Sequence, residues 1–241
     1  FYAIQKSFMH LHKIFYALEF NLNNLFFDLD GTIINSEIGI MKSLKYMYKH
    51  TLGYVPHDDA TLHAFIGPTI GDSLQKYDHV AADDPFINQS INAFREYYQD
   101  EGWEEYTVFD GIYDMMESLK NADKEIFIAT SKPEIFAKKI IDQLNMKQYV
   151  RHVFGAAEDE SVRSLKEDVI SYGIDKTSVD LDTKNLVMVG DRSSDIVGAH
   201  KNNLKAIGVT YGFGDYAELK AANSEWIVNE PQEIAKLAME N

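Results

Sequence analysis

Short apolar runs recur along the chain, each closing on a loop and followed by a stretch of helical spacing. Five have strand length: Leu25 to Asp28, Glu125 to Thr130, Val153 to Ala156, Leu186 to Gly190 and Ala206 to Val209. Between them, apolar positions such as Ile135, Phe136, Ile140, Ile141 and Leu144 fall on one helical face. Strands alternating with helices predict an α/β fold, a Rossmann-like parallel sheet with helices on both faces. Ligands of such sheets sit beyond the carboxyl ends of the strands. This chain places Asp28, Thr130 and, just after Gly190, Asp191 there. Near the end, Trp226 to Val228 reads as a further short strand, and Pro231 suits the first turn of a closing helix.

The interval between the first two strands is too long for a single crossover. Residues 35–108 are helical in pattern, with Ile38, Met41, Leu44 and Met47 on one stripe and Ile87, Ile91, Phe94 and Tyr98 on another. Connections in compact domains usually run to about 4–6 residues. The segment 35–108 is therefore expected to be an inserted helical cap domain, with 21–34 and 109–241 forming the core domain. Starting just after Asp30, the insert is expected to hang over the strand ends as a lid. Its Phe65-Ile66-Gly67-Pro68-Thr69 run fits a loop reaching toward substrate and a plain turn between helices equally well. Residues 1–20 are aromatic-rich but broken by Lys6, His10, His12, Lys13 and Glu19. Neither a membrane span nor a secretory signal is expected from them. They form an N-terminal extension of open role.

The length of 241 residues accommodates one sizeable core plus a smaller insert. Charge changes the picture more. The formal net charge of -15 argues against nucleic acid and anionic membranes as partners, since both are bound by neutralising phosphates. An anionic substrate would then need a local reversal of sign, which a divalent cation supplies. The absence of cysteine excludes disulfides and thiolate chemistry and fits a cytoplasmic protein. The eight histidines are scattered, with no pair at the spacing of a zinc-binding helix.

Four segments carry chemistry. Asp28-Leu29-Asp30-Gly31-Thr32 ends the first strand with two carboxylates that can point the same way. Ionised together they repel, unless a metal lies between them or one keeps a proton. Phosphoryl transfer uses both arrangements: Asp28 as nucleophile, Asp30 as the acid that serves the leaving oxygen and then activates water. Read without chemistry, the run is an Asp-Gly turn. Thr130-Ser131-Lys132-Pro133 offers hydroxyls and backbone N–H groups for a phosphate just before a helix, and fits an ordinary helix cap as well. Lys166 is an isolated lysine whose place between the third and fourth strands lets it approach the acidic site. Gly190-Asp191-Arg192-Ser193-Ser194-Asp195 sets two hard oxygen donors on one side, Asp191 as a direct Mg²⁺ ligand and Asp195 behind it, against the plainer reading of a capped helix.

Taken in order, these segments resemble the four motifs of the haloacid dehalogenase superfamily, from about Leu25 to the C-terminus. The runs Ile128 to Pro133, Gly190 to Asp195 and Gly208 to Gly214 look most like its phosphoglycolate-phosphatase-like members. The resemblance implies a Rossmann-like core and a helical cap. It also implies Mg²⁺ held by Asp28, the Asp30 carbonyl and Asp191, with phosphate bound by Thr130 or Ser131 together with Lys166. Asp30 separates the chain from true dehalogenases, which lack an acid there. The expected activity is hydrolysis of a small phosphate monoester from a phosphorylated metabolite. A 5'-nucleotidase or a sugar-phosphate phosphatase is the alternative within the family, and a non-catalytic binding protein on the same fold is the alternative outside it. Monomer and homodimer both remain open. A dinucleotide-binding oxidoreductase is disfavoured, because the first strand lacks Gly-x-Gly-x-x-Gly.

Overall fold

Every residue of β1 (Asn24–Phe27) is buried, as expected of a strand covered on both faces. A computed structural model places it at the centre of the molecule's main sheet. The structure describes residues 22–157, 162–163, 165–177 and 185–240; the N-terminal extension 1–20 lies outside them. The chain divides into two compact units, Ile33–Phe109 and the segments on either side of it.

The larger unit holds a sheet of β1 with β4 (Glu125–Pro133), β5 (Val150–Ala156), β6 (Leu186–Gly190), β7 (Lys205–Val209) and β8 (Trp226–Val228). Its order is β5-β4-β1-β6-β7-β8 and every neighbouring pair is parallel. The chain builds outward on one side of β1 through β4 and β5, then crosses to β6 on the other. The strand order therefore reverses at β1, where open α/β sheets form their crevice. The helices are α5 (Ile112–Asn121), α6 (Glu134–Gln143), α7 (Lys166–Thr177), α8 (Ser193–Lys201), α9 (Tyr216–Ala221) and α10 (Pro231–Glu240).

Packing sets how closely α7 approaches the sheet. Phe26 stacks edge-on against Phe127 at 5.4 Å and tilts against Phe154 at 5.9 Å. Fully burying one such ring is worth about 1.5–3 kcal/mol. Gly173 faces this cluster, and a Cβ there would lie 2.9 Å from Phe26. The missing side chain lets the helix settle onto the rings. That depth helps decide where Lys166, its first residue, can reach.

The smaller unit contains α1 (Glu37–Leu52), α2 (Asp59–His63), α3 (Ile70–Tyr77) and α4 (Pro85–Asp100). A two-stranded antiparallel ribbon of β2 (Ile34–Asn35) and β3 (Thr107–Val108) joins its ends. Its core is Leu44, Met47, Tyr48, Leu62, Phe65, Leu74, Ile87 and Ala93. Asp58, Thr69 and Asp84 cap α2, α3 and α4, each accepting a backbone N–H of the first turn. Inside, Tyr48 donates to Asp78 Oδ2 at 2.7 Å and His57 Nε2 lies 2.8 Å from Asp78 Oδ1.

Two local expectations are revised. Ile38 and Ile135 were placed on core stripes but are exposed, because each sits in the first turn of its helix, ahead of the packed face. Strand β4 runs past Thr130 to Pro133, so Thr130 and Ser131 do not cap α6. Pro133 stands one residue before the helix, although a proline at this point of the sequence also suits a first helical turn.

Candidate active site

Parallel pairing brings the carboxyl ends of β1, β4 and β6 side by side; Asp28 and Asp191 lie just beyond β1 and β6, and Thr130 and Ser131 lie within the final part of β4. Asp28 follows β1, and its backbone N–H still donates to Val189 O of β6 at 2.8 Å. Its Oδ1 accepts the Leu29 N–H at 2.7 Å and lies 2.7 Å from Lys166 Nζ. The same ammonium is 2.8 Å from Asp195 Oδ1 and donates to Ala129 O at 3.2 Å. One lysine thus ties together the ends of β1 and β4 and the first turn of α8. Its aliphatic stem passes Gly198, where a Cβ would stand 3.0 Å from Lys166 Cγ.

Asp191 and Asp195 are fully buried. Asp191 Oδ2 accepts the Phe213 N–H at 2.8 Å, and Thr32 Oγ1 lies 3.4 Å from its Oδ1. Gly31, with φ +80, runs so close that a Cβ would fall 2.2 Å from Asp191 Oδ2, so only glycine fits both the turn and the contact. Asp195 accepts the Arg192 N–H at 3.0 Å, fixing the start of α8. The plainer reading, a cap by Asp191 with Asp195 an ordinary surface residue, therefore fails on both counts: Asp195 is buried and it is Asp195 that holds the helix start.

Asp28, Asp191 and Asp195 each offer one oxygen within 4.8 Å of the others. Burial raises the Asp28 carboxyl to about 6; the Asp195 and Asp30 charges add to this while Lys166 opposes it. Asp191 is raised well above the usual carboxylate range, chiefly by burial and then by Asp195 and Asp28. Burial works to lower the Lys166 ammonium, but Asp195 and Asp28 outweigh it, so it stays charged. Three buried carboxylates against one ammonium make an all-oxygen donor set with excess negative charge. That set fits a hard divalent cation.

Asp30 is set apart from this group. Its Oδ1 lies 2.6 Å from Lys132 Nζ. Thr130 is buried and its Oγ1 accepts the Lys132 N–H at 3.2 Å, whereas the Ser131 side chain is exposed. Lys132 was passed over in the sequence, where it reads as a polar residue of a loop before a helix. The signal that could have singled it out is its position two residues after Thr130, which returns its side chain to the same side of a strand.

Residues 25–209 match the profile of haloacid dehalogenase-like hydrolases. The chain belongs to that family. A 5'-nucleotidase of Pseudomonas aeruginosa is 35% identical over 199 residues, 82% of this chain and 87% of that one. The tyrosine-protein kinase PtkA of Mycobacterium tuberculosis is 32% identical over 188 residues, which are 78% of this chain but 62% of the kinase. A phosphoglycolate phosphatase of Neisseria meningitidis is 26% identical over 219 residues, covering 86% and 90%. Among solved structures, a predicted phosphatase from Clostridium acetobutylicum superposes with a TM-score of 0.82 at 37% identity, over 91% of this chain and 99% of that one. These likenesses make the chain a hydrolase of phosphatase type.

Proposed function

We propose that this protein is a Mg²⁺-dependent phosphatase that hydrolyses a small phosphate monoester through an aspartyl-phosphate on Asp28. One observation carries the reading: Asp28, Lys166, Asp191 and Asp195 come from separate strand and helix ends to one buried point.

Asp28 Oδ1 is held by Leu29 N–H and Lys166, leaving Oδ2 for the attack. In the first step the bond from Asp28 oxygen to phosphorus forms as the ester P–O bond breaks, and Asp30 passes its proton to the departing oxygen. In the second, water attacks phosphorus, Asp30 takes the water's proton, and the Asp28 carboxylate is released with inorganic phosphate. The charge that develops lies on the phosphoryl oxygens, so positioned cations and N–H groups do most of the work. Lys166, held by Asp195, contributes one such charge beside the nucleophile. Of Thr130 and Ser131, the buried Thr130 is the expected phosphate contact, together with backbone N–H groups that follow Asp28 and Thr130, while the Ser131 side chain faces outward. The Asp28 and Asp191 carboxylates and the Asp30 carbonyl would hold Mg²⁺, with Asp195 behind them. When bound, the ion neutralises the phosphoryl oxygens and offsets the carboxylates.

The helical unit, inserted between Thr32 and Asp110, is read as the cap domain that selects the substrate. Both a nucleoside monophosphate and phosphoglycolate fit the family; the higher identity to the 5'-nucleotidase gives the former a specific claim. Phosphate release from a panel of both, with Mg²⁺ present, decides between them. In the same assay Asp28→Asn is expected to lose at least about a thousandfold in turnover, ~4 kcal/mol of barrier. Wild-type rates from that variant would overturn the mechanism, and a wild-type protein inert toward every phosphate monoester would overturn the function.

A further inference from the structure

Lys132 is buried, its side chain 4% exposed, like Lys166 and unlike surface pairs such as Lys147–Asp142 and Lys236–Glu240. Its partner Asp30 stands 102 residues earlier, at the end of a different strand. Removing an ammonium from water costs several kcal/mol, and a buried ion pair seldom outperforms apolar packing of the same volume. Stability alone is therefore a poor account of it.

The strand is also irregular just where Lys132 stands. Strand β4 pairs evenly with β5 from Phe127 to Thr130, and the register then shifts between Thr130 and Pro133, as it also does between Ile126 and Phe127. Such an irregularity bends a strand and re-aims a side chain, and is common beside active sites. Here Ser131 faces outward and Lys132 inward, with the Lys132 N–H held by Thr130 Oγ1. The result is an ammonium 2.6 Å from one oxygen of the carboxylate that the mechanism uses twice.

We propose that Lys132 is a positioning residue for Asp30: it pins Oδ1, leaving Oδ2 to give a proton to the leaving oxygen and to take one from water. This rests on the reaction proposed above, in which Asp30 is the acid and base. Lys132 itself forms no bond to phosphorus, and its proton stays on the amine throughout.

The test uses the full chain with excess Mg²⁺ and p-nitrophenyl phosphate, and compares Lys132→Met, Lys132→Arg, Asp30→Asn and the Lys132→Met/Asp30→Asn pair. General acid–base catalysis contributes roughly 100- to 10,000-fold, and losing its alignment removes part of that. Lys132→Met is expected to lower kcat about 10- to 100-fold with KM changed less than about twofold. Lys132→Arg should recover part of the loss, because a guanidinium can still reach the carboxylate. On the Asp30→Asn background, Lys132→Met should add less than about a further twofold, since the group it positions is gone. A rise in KM at unchanged kcat would show instead that the ammonium binds phosphate, and fully multiplying losses would show that it acts apart from Asp30. Either overturns the proposal. If Lys132→Met does not fold, Lys132→Gln and Lys132→Arg are put through the same cycle against Asp30→Asn. Failure of the wild type sinks the parent reading; a wild type that turns over, with Asp30→Asn impaired and Lys132→Met normal, sinks only this one.

Discussion

Lys166 is stable where it lies because two carboxylates and a main-chain oxygen converge on its ammonium from three segments. The sequence offered only a solitary lysine of uncertain use. Its meaning came from Asp28, Ala129 and Asp195, which lie on three other segments of the chain. Asp28 and Asp191 stood out in the sequence because both close apolar runs of strand length in one sheet. Lys132 was not, because nothing local shows that its strand continues. Glu218 is a second side chain that only the fold explains. It accepts the Ser193 N–H at 2.7 Å and pairs with Arg192 Nε at 3.0 Å, holding the loop after Asp191. Burial alone would raise its carboxyl, but these donors outweigh burial and lower it below its ordinary 4.5. The folded state therefore favours the ionised form, and this stabilisation is full above about 4.5 and fades as pH falls through the lower folded value. Glu218→Gln is expected to cost roughly 1.5 kcal/mol at pH 7, judged from charged hydrogen bonds. Urea melts from pH 7 to pH 3 should show the gap to wild type closing toward the acid end. A gap that stays constant would show that the charge is irrelevant.

At the scale of elements, periodicity located the strands well and their last residues poorly. Apolar runs mark β1 and β6 because both faces are covered, so nearly every side chain is apolar. The tail of β4 is polar and carries a proline, and a local reading stops it at Thr130. It continues because β5 offers partners as far as Ala156 across the register shift, which is a long-range fact. Close approach is likewise invisible to hydrophobic patterning. In α1, Gly39 sits where a Cβ would fall 2.0 Å from Gly102 O, and Ser43 and Gly102 line the same contact. Backbone cannot yield as a flexible side chain does. Gly39→Ala is expected to destabilise the helical unit by about 1–3 kcal/mol despite alanine's better helix propensity. Hydrogen exchange should quicken across 33–109 and stay unchanged in β1 and β6. Equal protection throughout both units would contradict this packing account.

At the scale of the molecule, an excess of 15 negative charges surrounds a site proposed to bind a phosphate dianion. Three of the acids lie together in the interior, with Lys166 the ammonium among them in the described residues. A cation there should therefore act on the stability of the folded chain. Ligand at a hundred times its dissociation constant stabilises by about 2.7 kcal/mol. For a chain of this size that is roughly 5–10 °C in Tm. Scanning calorimetry with and without millimolar Mg²⁺ should show this rise in the wild type and little of it in Asp191→Asn. Identical thermograms for the wild type would remove the metal from the reading. Among the described residues, no helix is long and apolar enough to cross a membrane.

The sequence by itself determined the α/β class, the alternation of strands and helices along the chain and the acids at the strand ends, because strand and helix periods and the residues closing each run are local properties. It also marked the long helical interval after the first strand. Only the tertiary structure decided what those residues touch: that Lys166 bridges Asp28 and Asp195, that Asp195 rather than Asp191 holds the helix start, and that Lys132 turns inward to Asp30. Each of these depends on strands adjacent in space and distant in the chain, and on backbone approaches within ångströms that no residue pattern encodes.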